Sequence, residues 1–153
     1  MQAESQAELC NTQTNTSHTS SGKVVLCFGT FDLLHVGHVR ILQRAAAFGT
    51  KLFVGVSSDA FTKKKKARLP VYSEKDRLQI VAAIKGVSGV FLEESMEKKR
   101  EYLVKFSADV LVMGDDWQDK FDHLSDIVQV VYLPRTPSIS TTGTIEKTKT
   151  IGK

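Results

Sequence analysis

The ten residues Gly29-Thr30-Phe31-Asp32-Leu33-Leu34-His35-Val36-Gly37-His38 directly follow a short apolar run, Val24–Phe28. Side chains three apart share one face in the first turn of a helix, so His35 and His38 would point the same way. Gly37 between them adds no side chain to obstruct that face. The free backbone N–H groups of a helix start attract anions. Two imidazoles beside them can donate hydrogen bonds to phosphate oxygens and stabilise charge building in a transition state. Gly29 lets the backbone turn sharply and come close to a ligand. The three spaced glycines of a dinucleotide fingerprint are missing, so this is phosphate chemistry of another kind. A helix cap or coincidence is the competing reading of the two histidines. Zinc lacks an obvious third ligand, because His18 falls in a polar tail and His123 is isolated, and no protein metal site is expected.

A second anion-attracting element is the run Lys63, Lys64, Lys65, Lys66 with Arg68. The 153 residues carry 21 Lys and Arg against 17 Asp and Glu, a formal charge of +4. Residues 1–22 hold two acids and no base, so the remainder carries +6, nearly all of it in residues 63–68. One local basic element argues against a duplex-binding surface, and no nucleic-acid partner is expected. A solvated loop, or a mimic of a nuclear import signal, competes with a phosphate-handling role for the lysines. No stretch approaches the 18 apolar residues of a membrane-spanning helix. The chain start lacks the basic and apolar segments of a signal peptide. Cys10 and Cys27 make no disulfide framework. A soluble, cytoplasmic protein is the expectation.

Residues 1–22, rich in Gln, Thr, Ser and Asn, are expected to form a disordered tail, and 23–153 one folded domain. Within that domain short apolar runs alternate with helical patterns. Val24–Phe28, Leu52–Val56, Val87–Leu92, Val110–Met113 and Val128–Leu133 read as strands, the first two as buried on both faces. Val39–Phe48 reads as a helix stopped by Gly49, and Ser73 as the cap of a helix through Ile84. Met96–Phe106 reads as another, and Ser140 as the cap of a last one ending near Lys149, while the lysine run reads as a basic loop reaching Tyr72. Alternation of this kind predicts an α/β fold with a parallel sheet and right-handed crossovers. Ligands in such sheets bind beyond the carboxyl ends of the strands.

With S-S-D at 57–59, M-G-D-D-W at 113–117 and R-T-P-S-I-S-T-T at 135–142, the motif at 29–38 resembles the cytidylyltransferases among the H-x-G-H nucleotidyltransferases. The resemblance covers about residues 23–149, and members that use sn-glycerol 3-phosphate are the most similar. It implies a Rossmann-like three-layer sandwich around a five-stranded parallel sheet. It also implies transfer of CMP from CTP to a phospho-alcohol, releasing pyrophosphate, with Mg²⁺ accompanying the nucleotide phosphates. A homodimer is implied as well. Phosphoethanolamine, phosphocholine or a polyol phosphate is an alternative acceptor. An adenylyltransferase of the FAD synthetase type, and a non-catalytic nucleotide-binding module, are further alternatives.

The resemblance also implies roles. His35, His38, Lys65 and Arg135 would act on the reacting phosphates. Gly29, Thr30, Phe31, Gly37 and Lys66 would contact CTP through the first loop and the lysine run. Gly114 would admit the base and Asp116 would accept from the nucleoside. Arg135, Thr136, Ile139, Ser140, Thr141 and Thr142 would complete the nucleotide site at a helix start. Asp32, Lys65, Arg77, Lys99 and Trp117 would serve the acceptor. Competing readings are loop bracing for Asp32, a solvated helix lysine for Lys99, and lid or core packing for Trp117. Two departures stand out. Ser138 replaces an expected glycine, and Lys85-Gly86-Val87-Ser88-Gly89-Val90 replaces a segment tied to the dimer interface.

Overall fold

The computed structural model describes residues 22–137 and 139–151. Apart from Gly22, the expected tail lies outside the described residues, as does Ser138. Five parallel strands form one sheet in the order β3-β2-β1-β4-β5. They are β1 (Val24–Gly29), β2 (Lys51–Ser57), β3 (Gly89–Glu93), β4 (Val110–Gly114) and β5 (Gln129–Leu133). The helices are α1 (Val36–Ala46), α2 (Asp59–Lys66), α3 (Glu74–Ala82), α4 (Lys99–Lys105) and α5 (Thr141–Ile151). Two short 3₁₀ turns, Asp115–Trp117 and Asp122–Leu124, lie between β4 and β5.

Central β1 explains its own apolar run. Cys27 is level with Val54 of β2 on one side and with Val112 of β4 on the other. Alternate side chains feed two cores. Val25 and Cys27 pack with Leu42 and Ala45 of α1 and Val81 of α3. Leu26 and Phe28 pack with Leu103 of α4 and with Phe121 and Leu124. The result is the Rossmann-like three-layer sandwich. Strand order reverses between β1 and β4, so a crevice opens at their carboxyl ends, where such sheets bind ligands.

Three local expectations need correction. The lysine run is no loop: residues 59–66 form α2. Ser58 caps it by accepting from Phe61 N–H, Phe61 and Thr62 are buried, and left-handed Ala67 ends it. Lysines in its last turn also suit the negative end of the helix dipole. Helix α1 starts at Val36 rather than Val39, because His35 is its cap. Gly49 does not stop α1 through a left-handed turn, since the cap is right-handed Ala47. Glycine is needed at 49 because a Cβ there would strike the Lys23 carbonyl, which takes the Thr50 and Lys51 N–H groups.

Candidate active site

The crevice between β1 and β4 is walled by the β1–α1 loop, the end of α2, the turn after β4 and the segment leading into α5. His35 and His38 sit at the start of α1 and both line it. Their capping reading and their functional reading turn out to be one arrangement. The Gly37 N–H donates to His35 Nδ1 (3.1 Å), and the His35 N–H donates to His38 Nδ1 (3.3 Å). A ring nitrogen that accepts carries no proton, so each neutral imidazole keeps its proton on Nε2. The rings stack with centroids 3.8 Å apart, and a Cβ at residue 37 would lie 2.9 Å from the His35 ring.

Electrostatics holds the pair neutral. Burial, then Arg135, lowers His35 below the ordinary histidine range. His38 is pushed down to about 3, mainly by burial and then by His35, Lys66 and Arg135, against a smaller opposing pull from Asp32. Two neutral N–H donors are therefore set in place in a cleft with Lys65, Lys66 and Arg135 on its walls. That arrangement suits a polyphosphate.

The loop before the histidines is shaped differently from the expectation. Its left-handed residues are Phe31 (φ 55°) and Leu33 (φ 46°), not Gly29. Such conformations cost a bulky residue on the order of 1–3 kcal/mol each and persist only where neighbours enforce them. Asp32, between the two, supplies the enforcement. Its carboxylate accepts from Val71 N–H (2.7 Å), Tyr72 N–H (3.0 Å) and Leu33 N–H (3.1 Å). Its carbonyl accepts from Thr141 Oγ1 (2.8 Å) at the start of α5. Asp32 borders the cleft but is 4% exposed, so the bracing reading describes what its carboxylate does. Phe31 meets His38 edge-on, 5.5 Å between centroids.

Arg77 is placed elsewhere than the resemblance implied. Its side chain is wholly buried and does not line the cleft. Its guanidinium donates to the carbonyls of Tyr72 (3.0 Å), Thr30 (2.8 Å) and Ser57 (2.7 Å), and to Asp59 Oδ1 (2.7 Å). Backbone carbonyls and Asp59 take four of its five N–H groups, and the buried guanidinium contributes no surface to the cleft that an acceptor molecule could reach. Lys99 is likewise no solvated lysine. It is 3% exposed and pairs with buried Glu93 at 2.6 Å, its ammonium 3.7 Å from the Phe28 ring centroid. Burial, opposed by Glu93, lowers its pKa. It lines a neighbouring pocket with Met96, Arg100, Lys120 and Phe121, and Trp117 lies between the two cavities.

The lysine run divides. Lys63 and Lys64 face away from the cleft and are exposed, whereas Lys65 and Lys66 line it. Burial pushes Lys65 down to about 8. Lys66, at the rim, is lowered by partial desolvation and by Arg68. On the β4 side a Cβ at Gly114 would fall 2.6 Å from Asp116 Oδ1, so the carboxylate lies across the glycine. Gly29, Thr30, Gly114, Asp116 and Trp117 all reach the cleft. On the β5 side Thr136, Ile139, Ser140, Thr141 and Thr142 do so beside Arg135. Ser140 Oγ accepts from the Gly143 N–H (3.0 Å) at the start of α5.

The sequence reading missed five cleft residues: Cys27 and Phe28 at the end of β1, Pro134 after β5, and two on α1. Ile41 and Arg44 follow His38 at three-residue intervals on α1, and Arg44 Nη1 donates to the Pro134 carbonyl (3.0 Å). That spacing was the available signal. Among the described residues no cluster of His, Cys, Asp and Glu could hold a metal ion. No helix there is long and apolar enough to cross a membrane.

Residues 26–147 match the family model described as cytidylyltransferase-like. Glycerol-3-phosphate cytidylyltransferase of Bacillus subtilis (strain 168) is 45% identical over 120 residues, 78% of this chain and 92% of that protein. The enzyme of the same name from Staphylococcus aureus is 41% identical, over 78% and 90%. FAD synthase of Pyrococcus abyssi is 34% identical over 72% of this chain and 79% of its own length. Among solved structures, a lipopolysaccharide core biosynthesis protein from Thermoplasma volcanium superposes with a TM-score of 0.66 at 25% identity, covering 74% of this chain and 98% of that one.

Proposed function

The chain belongs to the cytidylyltransferase-like family, and from that premise we propose that it transfers CMP from CTP to sn-glycerol 3-phosphate, giving CDP-glycerol and pyrophosphate. The observation that carries this reading is the stacked, neutral His35–His38 pair facing a cleft lined by Lys65, Lys66 and Arg135. A phosphate oxygen of the acceptor attacks the α-phosphorus of CTP, and the bond to the bridging oxygen of the β-phosphate breaks. The attacking phosphate is already ionised at neutral pH, so no general base is needed. Positioning and charge neutralisation dominate such a transfer. The Nε2–H groups of His35 and His38 donate to the phosphates as charge shifts to the leaving pyrophosphate, and Arg135 and Lys66 hold the chain of phosphates. Lys65 receives the acceptor phosphate, and Asp116 accepts from the nucleoside. Mg²⁺ enters as part of the substrate, MgCTP.

Pyrophosphate release with Mg²⁺, CTP or ATP, and a panel of phospho-alcohols tests the reading. Release with CTP and glycerol 3-phosphate is the expected result. Preference for phosphoethanolamine or phosphocholine would move the acceptor, and preference for ATP would move the protein toward its FAD synthase relative. No release with any pair would overturn the enzyme reading. The pH profile adds a second check. Free Lys65 titrates near 8 and is useful only when charged. Therefore kcat/KM should fall as pH rises through about 8, because that ratio reports the free enzyme. Bound phosphate favours the charged lysine, so kcat should hold to higher pH. A kcat/KM flat to about pH 9.5 would remove Lys65 from substrate binding.

The reading extends to a cytoplasmic homodimer with residues 23–153 as the catalytic unit. Exposed Leu69, Val71 and Tyr72 beside the cleft, and Val104 on α4, are the apolar side chains such an association could use.

A further inference from the structure

Under the cleft, four polar side chains form one hydrogen-bonded line. The Lys65 ammonium donates to Ser57 Oγ (3.1 Å), and Ser57 Oγ donates to Glu93 Oε1 (3.1 Å). The other carboxylate oxygen, Oε2, accepts from Lys99 Nζ (2.6 Å). Ser57 and Glu93 end the adjoining strands β2 and β3 and are level in their parallel register. Ser57 is fully buried, Glu93 is 2% exposed, and neither lines the cleft. The direction of the line is fixed by its chemistry. A hydroxyl has one proton, which goes to the carboxylate, and its lone pairs are then turned to the lysine.

We propose that Ser57 and Glu93 are positioning residues that fix the Lys65 ammonium at the wall of the cleft, so that one lysine of the run is pre-set to receive phosphate. This rests on reading the cleft as the place where the substrates' phosphates meet. A lysine is a point charge on a flexible stem, and holding it ready for a ligand costs rotamer entropy. Two fixtures offset that cost here: the Ser57 hydroxyl, and the Phe61 ring, whose centroid is 4.7 Å from Nζ. Lys63, Lys64 and Lys66 have no comparable side-chain hydrogen bond among the described residues. A lone carboxylate buried with Lys99 would already be paired, yet its second oxygen is directed through Ser57 toward α2. The charges facing Lys65 point the same way. Lys66, Lys99 and Arg77 disfavour its charged form together with burial, and Glu93 is the acid that favours it.

The decisive variant is Ser57→Ala, which cuts the line at the hydroxyl and leaves the Glu93–Lys99 pair intact. Displacing a positioned group should lower kcat/KM about 10-fold in the otherwise native protein. In a Lys65→Ala background the same change should cost less than about twofold, since a residue acting through another loses its effect when that other is gone. A readout independent of activity is the pH dependence of Lys65 acetylation in the substrate-free protein, followed by mass spectrometry. Its midpoint, near 8 in the native chain, should move down in Ser57→Ala and in Glu93→Gln, because the charged form loses a partner. An equal cost in both backgrounds, no cost in the native background, or an unmoved midpoint overturns the proposal. If Lys65→Ala is too slow to assay, the midpoint decides. Failure of the native protein to release pyrophosphate would instead strike the function proposed above, and the labelling would still decide the relay.

Discussion

Replacing His38 by alanine should lower kcat by about 100-fold or more, the usual cost of removing a donor aimed at transition-state charge. His35→Ala should do the same, and each change also removes one capping hydrogen bond of α1, from Gly37 N–H to His35 or from His35 N–H to His38. His35 is the N-cap of α1, and losing a cap costs about 1 kcal/mol. The two contributions of His35 separate in His35→Asn. Asparagine is a good cap but has no ring to stack on His38, so melting temperature should recover while turnover stays low. Near-native turnover in His35→Asn would mean that the residue only caps. A pH measurement reports the neutral state directly. In the folded chain His38 titrates near 3, against 6.5 for a free histidine. Between those values the unfolded chain binds the extra proton, so stability from the depressed pKa is complete above 6.5 and lost as pH falls toward 3. Removing His38 should therefore flatten the acid side of the stability profile, measured by denaturant unfolding at several pH values.

The reach of the sequence follows from how local each feature is. The H-x-G-H element was legible because its parts are contiguous: strand, turn, cap and first helical turn all lie within residues 24–38. The sheet was legible because β1, β2 and β4 are buried on both faces and therefore read as unbroken apolar runs. Helix α2 was hidden because five charged side chains dominate its eight residues, while only Phe61 and Thr62 among them are buried. Glu93 and Lys99 are six residues apart across a turn, and nothing in their local pattern shows that both are buried. Their pairing depends on strand β3 delivering the carboxylate to the Lys99 ammonium that lies against the Phe28 ring. The left-handed Phe31 and Leu33 run against local preference, and Asp32 stabilises them through backbone groups 39 and 40 positions away. Local rules fail here where the chain is held by distant neighbours, and those places border the cleft.

Arg77 is the extreme case, and Arg77→Met should destabilise the protein by about 3–5 kcal/mol, as removing one partner from a buried charged network does. Its four acceptors come from three separate parts of the chain. Thr30 belongs to the histidine loop, Ser57 and Asp59 to the β2–α2 junction, and Tyr72 to the segment that Asp32 grips. Methionine fills much of the volume but donates nothing, so the buried Thr30 and Ser57 carbonyls lose a charged donor. Lost hydrogen bonds to buried groups cost about 1–3 kcal/mol each. Asp59, a third exposed, can turn to water and adds less. Urea unfolding of the native and variant proteins measures the difference, and a change below about 1 kcal/mol would show that the carbonyls find other donors. Function should suffer separately from folding. Ser57 closes the line to Lys65, and Thr30 begins the loop that leads to His35, so one guanidinium ties both walls of the cleft from behind. Assayed well below its own melting temperature, the folded fraction of Arg77→Met should still show reduced kcat/KM with CTP. A folded fraction of native activity would confine Arg77 to stability alone.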